Sequence, residues 1–224
     1  MFTGIIQETV SIYKIDKTKV GISLSVNKPK TFSNIQLGES VAVNGACLTI
    51  SGYDDDYMSF DIVLETLNKT NFDQVNCNDM VNLERCLSID SKIDGHIVLG
   101  HIESIAEVVQ HSFIADSSRL FVSIDEDLIR FCINKGSITI DGVSLTIASI
   151  EKNIIEIALV PHTLSNTNLK SRISGDTVNI ETDIIGRYID HYLTLDGYKG
   201  SPQEYIANKL KINLEKVSAK EIKY

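Results

Sequence analysis

At 224 residues, with 43% apolar side chains and a formal charge of −9, the chain can bury the cores of two small domains and lacks the clustered basic surface that a nucleic-acid backbone requires. No apolar run reaches the length of a membrane-spanning helix, and the opening MFTGIIQETV has neither a basic head nor a small-residue cleavage site. The expectation is a mature cytoplasmic protein whose ligand is a small molecule.

In chain order, Phe2-Thr3-Gly4-Ile5-Ile6 opens the sequence, and Gly21 to Val26 alternates apolar with small polar residues as a half-buried strand does. Ser40 to Ile50 reads SVAVNGACLTI, and Ser137 to Ile147, ninety-seven residues later, reads SITIDGVSLTI. The register pairs Gly45 with Gly142, Thr49 with Thr146, Cys47 with Ser144 and Glu84 with Glu181. From Ser40 to Glu84 it gives 14 identities in 45 pairs without a gap, which marks an internal duplication. Asn44-Gly45 and Asp141-Gly142, each flanked by β-branched residues, signal a tight hairpin in both halves. Phe72-Asp73-Gln74 and the stretch from Asp125 to Phe131 read as short helical turns. The second repeat opens near Gly95-His96-Ile97-Val98-Leu99-Gly100-His101, with Gly100 in the place of Gly4 at an offset of 96. Short strands and frequent turns in a unit of about 90 residues predict an all-β fold of two tandem six-stranded closed barrels, because closure removes exposed edges. The expected domains are 1–93 and 94–183.

From Asp183 the period changes. Ile184, Ile185, Tyr188, Ile189, Tyr192 and Leu193 form an apolar stripe at helical spacing. A second helix is expected from the Ser201-Pro202-Gln203-Glu204 capping box. The tail, 184–224, has its stripe to bury either on its own barrel or on another subunit.

Cys47 and Ser144 stand at equivalent positions just past the turn, where a pocket at the barrel mouth would receive them. A cysteine in an apolar strand is ordinarily a buried small hydrophobe, but its counterpart here is a polar serine. Thr49 and Thr146 lie two residues on and face the same way. Each barrel thus offers a small polar pair suited to a heterocycle. In a continuous strand His96 and His101 would point to opposite faces, and no carboxylate or thiol cluster reinforces them as metal ligands. His101, beside Gly100, is the better functional candidate, although an ordinary hydrogen-bonded histidine is the competing reading. The four cysteines, Cys47, Cys77, Cys86 and Cys132, stand far apart without a C-x-x-C pair and suit reduced thiols. Nothing in the chain matches a dinucleotide, ATP or acyl-enzyme signature. Two matched pockets without a cofactor motif suit a protein that holds two like molecules.

MFTGIIQ, LGESVAVNGACLTI, Glu65-Thr66, VNLER, GHIVLGHIE, KGSITIDGVSLTI, PHTLSNTNL and GDTVNIETD together resemble the riboflavin synthase alpha-chain family, in order, over residues 1–193. The family departs from this chain at Asp94, where it usually has a glycine, and at Leu99, where it has a small or polar residue. The resemblance implies two lumazine-binding barrels and a homotrimer assembled through C-terminal helices. It implies dismutation of two 6,7-dimethyl-8-ribityllumazine molecules by transfer of a four-carbon unit, giving riboflavin and 5-amino-6-ribitylamino-uracil, with no metal or redox cofactor. The site would lie between barrels of neighbouring subunits. Carried over, the substrate-binding residues are Gly4, Ile5, Ile6, Cys47, Leu48, Thr49, Asp61, Ile62, Val63, Leu64, Glu65, Thr66, Gly100, His101, Ile102, Lys135, Ser144, Leu145, Thr146, Val160, Pro161, His162, Thr163, Leu164 and Ser165. Those nearest the chemistry are Ser40, Cys47, His101, Ser144 and Asp183. A non-catalytic lumazine- or flavin-binding carrier is the alternative, and the second half-site, with its turn and Leu-Thr-Ile intact, argues against it.

Overall fold

A computed structural model describes residues 1–195. Residues Met1–Ile184 form one compact unit. The first barrel is closed by β1 (Glu8–Lys17), β2 (Gly21–Asn27), β3 (Ser40–Val43), β4 (Ala46–Tyr53), β5 (Tyr57–Val63) and β6 (Met80–Arg85), in the order β1-β2-β5-β4-β3-β6. The second is closed by β7 (Ser104–Ile114), β8 (Ser117–Ser123), β9 (Ser137–Ile140), β10 (Val143–Glu151), β11 (Ile154–Leu159) and β12 (Thr177–Thr182), in the same cyclic order. All pairings are antiparallel, and both barrels carry bulges at matching places: Ile12/Lys14 with Val108/Gln110, and Ile50/Gly52 with Ile147/Ser149. Such bulges bend the strands enough for a small sheet to close. The short helices α1 (Leu64–Lys69) and α3 (Pro161–Asn166) follow β5 and β11, and α2 (Glu126–Ile129) precedes β9. A 3-10 turn at Asn71–Asp73 meets the expectation for that stretch, as α2 does for its own.

Alternation decides which side chains fill each barrel. In β4, Ala46, Leu48 and Ile50 point in and are buried, while Cys47, Thr49 and Ser51 face out. β10 repeats this with Val143, Leu145 and Ile147 inside and Ser144 and Thr146 outside. Each barrel has its own core, one centred on Leu24, Phe60 and Leu83 and the other on Leu120, Ile138 and Ile157.

The β3–β4 and β9–β10 turns are two-residue turns with positive φ at both positions: Asn44 at 42° and Gly45 at 82°, Asp141 at 47° and Gly142 at 79°. They meet tip to tip between the barrels. A Cβ on Gly45 would lie 2.7 Å from the Gly142 nitrogen and one on Gly142 2.6 Å from the Gly45 nitrogen, so glycine is required for the contact as well as for the turn. A buried polar network surrounds this point with near two-fold symmetry. The Asn82 amide donates to Asn44 Oδ1 and the Asn179 amide to Asp141 Oδ1, while Asn82 Nδ2 donates to the Asp141 carbonyl and Asn179 Nδ2 to that of Asn44. Asn168 and Asn71 donate their amides across to Asn82 Oδ1 and Asn179 Oδ1. Buried groups so connected fix one arrangement of the barrels, because any slip would strand several donors at once.

Helix α4 (Ile184–Leu195) carries the expected stripe, with Ile185, Tyr188, Ile189 and Tyr192 all more than half exposed. No helix among the described residues is long and apolar enough to cross a membrane. The second helix expected from Ser201 lies outside the described residues.

Candidate active site

The segments before β1 and β7 are not strands. They are extended arms that pair with each other through Phe2 and Val98, whose amides donate to each other's carbonyls at 2.7 and 3.1 Å. Each arm then covers the opposite barrel. The Gly4 carbonyl accepts the Ser144 amide at 2.7 Å, and the Gly100 carbonyl accepts the Cys47 amide at 2.9 Å. Ile6 packs on the core of the second barrel and Ile102 on that of the first. Gly4 and Gly100 both have φ of 78°, and a Cβ at either would lie 2.6 Å from the Cβ of Ser144 or Cys47.

Two candidate half-sites result, on the outer walls of the barrels beneath the exchanged arms. The expected place at the barrel mouth is therefore corrected, and the reason is the outward phase of Cys47 and Ser144 in β4 and β10. The first half-site gathers Cys47 and Thr49 with Gly100, His101 and Ile102. Ser40 pairs with Thr49 on the same face, whereas Ala42 lies opposite Cys47. Asp61 and Val63 point outward from β5, next to β4, and Leu64, Glu65 and Thr66 begin α1; Ile62, like Leu48, turns into the core. The second half-site gathers Ser144 and Thr146 with Gly4, Ile5 and Ile6. Val160 is exposed just past β11, and Pro161, His162, Thr163 and Ser165 follow in α3, whereas Leu145 and Leu164 belong to the core. Lys135 has φ of 66° where the first barrel has Gly38 at 86°, and its Nζ donates to the Ala148 carbonyl at 3.2 Å.

The half-sites differ in their polar contacts. His96 Nδ1 lies 2.8 Å from Ser144 Oγ, and the His96 amide donates to the Thr3 carbonyl at 3.1 Å. Gly95 makes this approach possible, since a Cβ there would stand 2.1 Å from the Thr3 carbonyl oxygen. Burial pushes the His96 imidazole below its ordinary pKa, and the charge of Asp183 partly offsets that. Ser144, His96 and Asp183 are thus one electrostatic group. Cys47 and His101 occupy the other half-site. The expectation that His96 and His101 sit on opposite faces of one strand fails because no strand runs from Gly95 to His101, and Gly100 turns the chain through positive φ. The signal that could have found His96 was the glycine before it.

Two further residues went unassigned in the sequence. Glu84 accepts from the amides of Thr3 and Gly4 at 2.7 and 2.9 Å and from Thr3 Oγ1 at 2.8 Å. Glu181 accepts from the amides of Leu99, Gly100 and His101 at 2.8, 2.9 and 3.1 Å. Both are buried, and burial raises both carboxyls above the ordinary range against the pull of the N–H donors. Their signal was the glutamate held at matching places in the apolar β6 and β12.

The lumazine binding domain family matches the chain twice, over residues 3–86 and 99–183. Riboflavin synthase of Actinobacillus pleuropneumoniae is 37% identical over 193 residues, covering 86% of this chain and 90% of the relative. That of Bacillus subtilis is 36% identical with the same coverage. The chain belongs to the riboflavin synthase family. Crystal structures of LumP with riboflavin and with 6,7-dimethyl-8-(1'-D-ribityl) lumazine superpose on this family member with TM-scores of 0.77 and 0.75. They are 31% and 30% identical to it and cover 81% of this chain and 99% of theirs.

Proposed function

We propose that the protein is a riboflavin synthase, converting two molecules of 6,7-dimethyl-8-ribityllumazine into riboflavin and 5-amino-6-ribitylamino-uracil by transfer of a four-carbon unit. The observation that carries this reading is the doubled half-site: one backbone frame, repeated, with His101 and Cys47 in one copy and His96 and Ser144 in the other. Two like substrates meet like walls and unlike reactive side chains.

The lumazine 7-methyl is acidic because its anion delocalises into the ring, so a modest base suffices. His96, kept neutral by burial and bonded to Ser144, is suited to take up a proton passed through the serine hydroxyl. His101 and Cys47 serve the other ring, with Ser40 beside them, and Asp183 steadies any charge that forms on His96. Holding the two rings together can replace roughly 7–11 kcal/mol of barrier. The exchange is redox-balanced between two copies of one molecule and needs no metal or redox cofactor.

The working enzyme is a cytoplasmic homotrimer whose complete site pairs the first half-site of one subunit with the second of its neighbour. Domains 1–93 and 94–183 supply the half-sites, and 184–224 supplies the oligomerisation tail. The exposed stripe on α4 supports this, and a trimer that persists in sedimentation after truncation before Asp183 would contradict it. For the activity itself, the purified chain given the lumazine alone, with chelator present, should develop riboflavin absorbance. A lumazine bound but unchanged would make the protein a carrier.

A further inference from the structure

We infer that Glu84 and Glu181 are positioning residues, each holding one histidine of one half-site, and that Glu181 serves His101 while Glu84 serves His96. The inference rests on the reading that both half-sites act on lumazine.

The geometry is a pair of clamps. Glu181 takes three consecutive amides, and the third is that of His101 itself. The same grip fixes Gly100, whose carbonyl receives the Cys47 amide. The imidazole of His101 is exposed and emerges from a backbone outside any strand, so the carboxylate, together with the Gly100–Cys47 bond and the packing of Ile102, sets its place over the first barrel. Glu84 acts one residue further away. It grips Thr3 through amide and hydroxyl, and the Thr3 carbonyl receives the His96 amide, from which the ring reaches Ser144. An apolar side chain at either position would leave two or three buried or part-buried N–H groups without acceptors, and the arm would lift to find water. A glutamine would turn one or more of these acceptor contacts into a donor facing donors.

The assignment is selective, and the test uses that. In the full chain, Glu181→Gln should shift and broaden the His101 imidazole ¹³Cε1–¹H resonance, identified with His101→Gln, and leave that of His96 in place. Glu84→Gln should do the reverse. In turnover each variant should lose about 10²-fold in kcat, the order expected from misplacing a reacting group by an ångström, with KM changed much less. Equal disturbance of both imidazoles by either variant, disturbance of neither, or a loss of kcat without the matching shift would overturn the assignment. Should a variant fail to fold, wild-type amide exchange decides. The amides of Thr3, Gly4, Leu99, Gly100 and His101 should be protected, and exchange at open-chain rates contradicts the clamps. These spectroscopic outcomes do not depend on turnover, so an inactive wild-type protein would count against the proposed function and leave this test standing.

Discussion

The carbonyl of Gly100 receives the amide of Cys47 at 2.9 Å, and so a glycine of the second repeat closes the site of the first. A side chain at Gly100 meets two objections, a φ of 78° and a Cβ 2.6 Å from that of Cys47. Gly38 has a similar φ of 86° and nothing within 4 Å. Gly100→Ala should therefore cost about 2–4 kcal/mol in denaturant unfolding, strain plus overpacking. Gly38→Ala should cost about 1 kcal/mol. Equal costs would mean that the arm does not press on β4.

Asp141 is fully buried and paired with Arg172 at 2.5 Å. The first barrel has Asn44 and Val75 at the matching places. Asp141→Asn should cost about 3 kcal/mol, because it removes the buried carboxylate that bonds the guanidinium and leaves it only the flanking charges of Asp176 and Asp79. Adding Arg172→Val reproduces the arrangement of the first barrel and should restore more than half of the loss. Chemical denaturation of the two variants and the wild type checks this, and a double variant no more stable than the single one would contradict it.

Ser144 Oγ is bonded to His96, whereas among the described residues the Cys47 thiol has no hydrogen-bond partner. Ser144→Ala should lower kcat by about 10²-fold, and Cys47→Ala should lower it distinctly less. Equal losses in steady-state assays would remove the asymmetry on which the two roles depend.

Stability should carry the signature of the same histidine. With its folded pKa below 6.5, His96 contributes stability that is complete above that value and is lost as pH falls through the folded pKa. Glu84 and Glu181, raised above 4.5, act with the opposite slope: their contribution is complete below 4.5 and is lost as pH rises through their folded values. His96→Gln should flatten the fall in thermal midpoint on acidification through pH 6.5 and below. An unchanged slope would show that the ring is not held neutral.

The duplication, the barrels and the hairpins could be read in the sequence because each rests on local spacing: Asn44-Gly45 and Asp141-Gly142 announce their turns, and inward and outward residues alternate along β4 and β10. The exchange of arms could not be read. Gly4 and Gly100 show only that the backbone approaches something closely, and their partners, Ser144 and Cys47, lie 140 and 53 positions away. Glu84 and Glu181 were visible as a repeated identity without a role, since a strand glutamate usually faces solvent. His96 reads as a strand residue by local spacing, whereas the chain from Gly95 to His101 makes an arm.

The stoichiometry of the reaction tests the central claim most directly. With the lumazine as sole substrate and the full chain as sole protein, each riboflavin formed should be matched by one 5-amino-6-ribitylamino-uracil and by the loss of two lumazines. Lumazine retained unchanged, or riboflavin formed without the uracil in equal amount, would contradict a dismutation run by two half-sites.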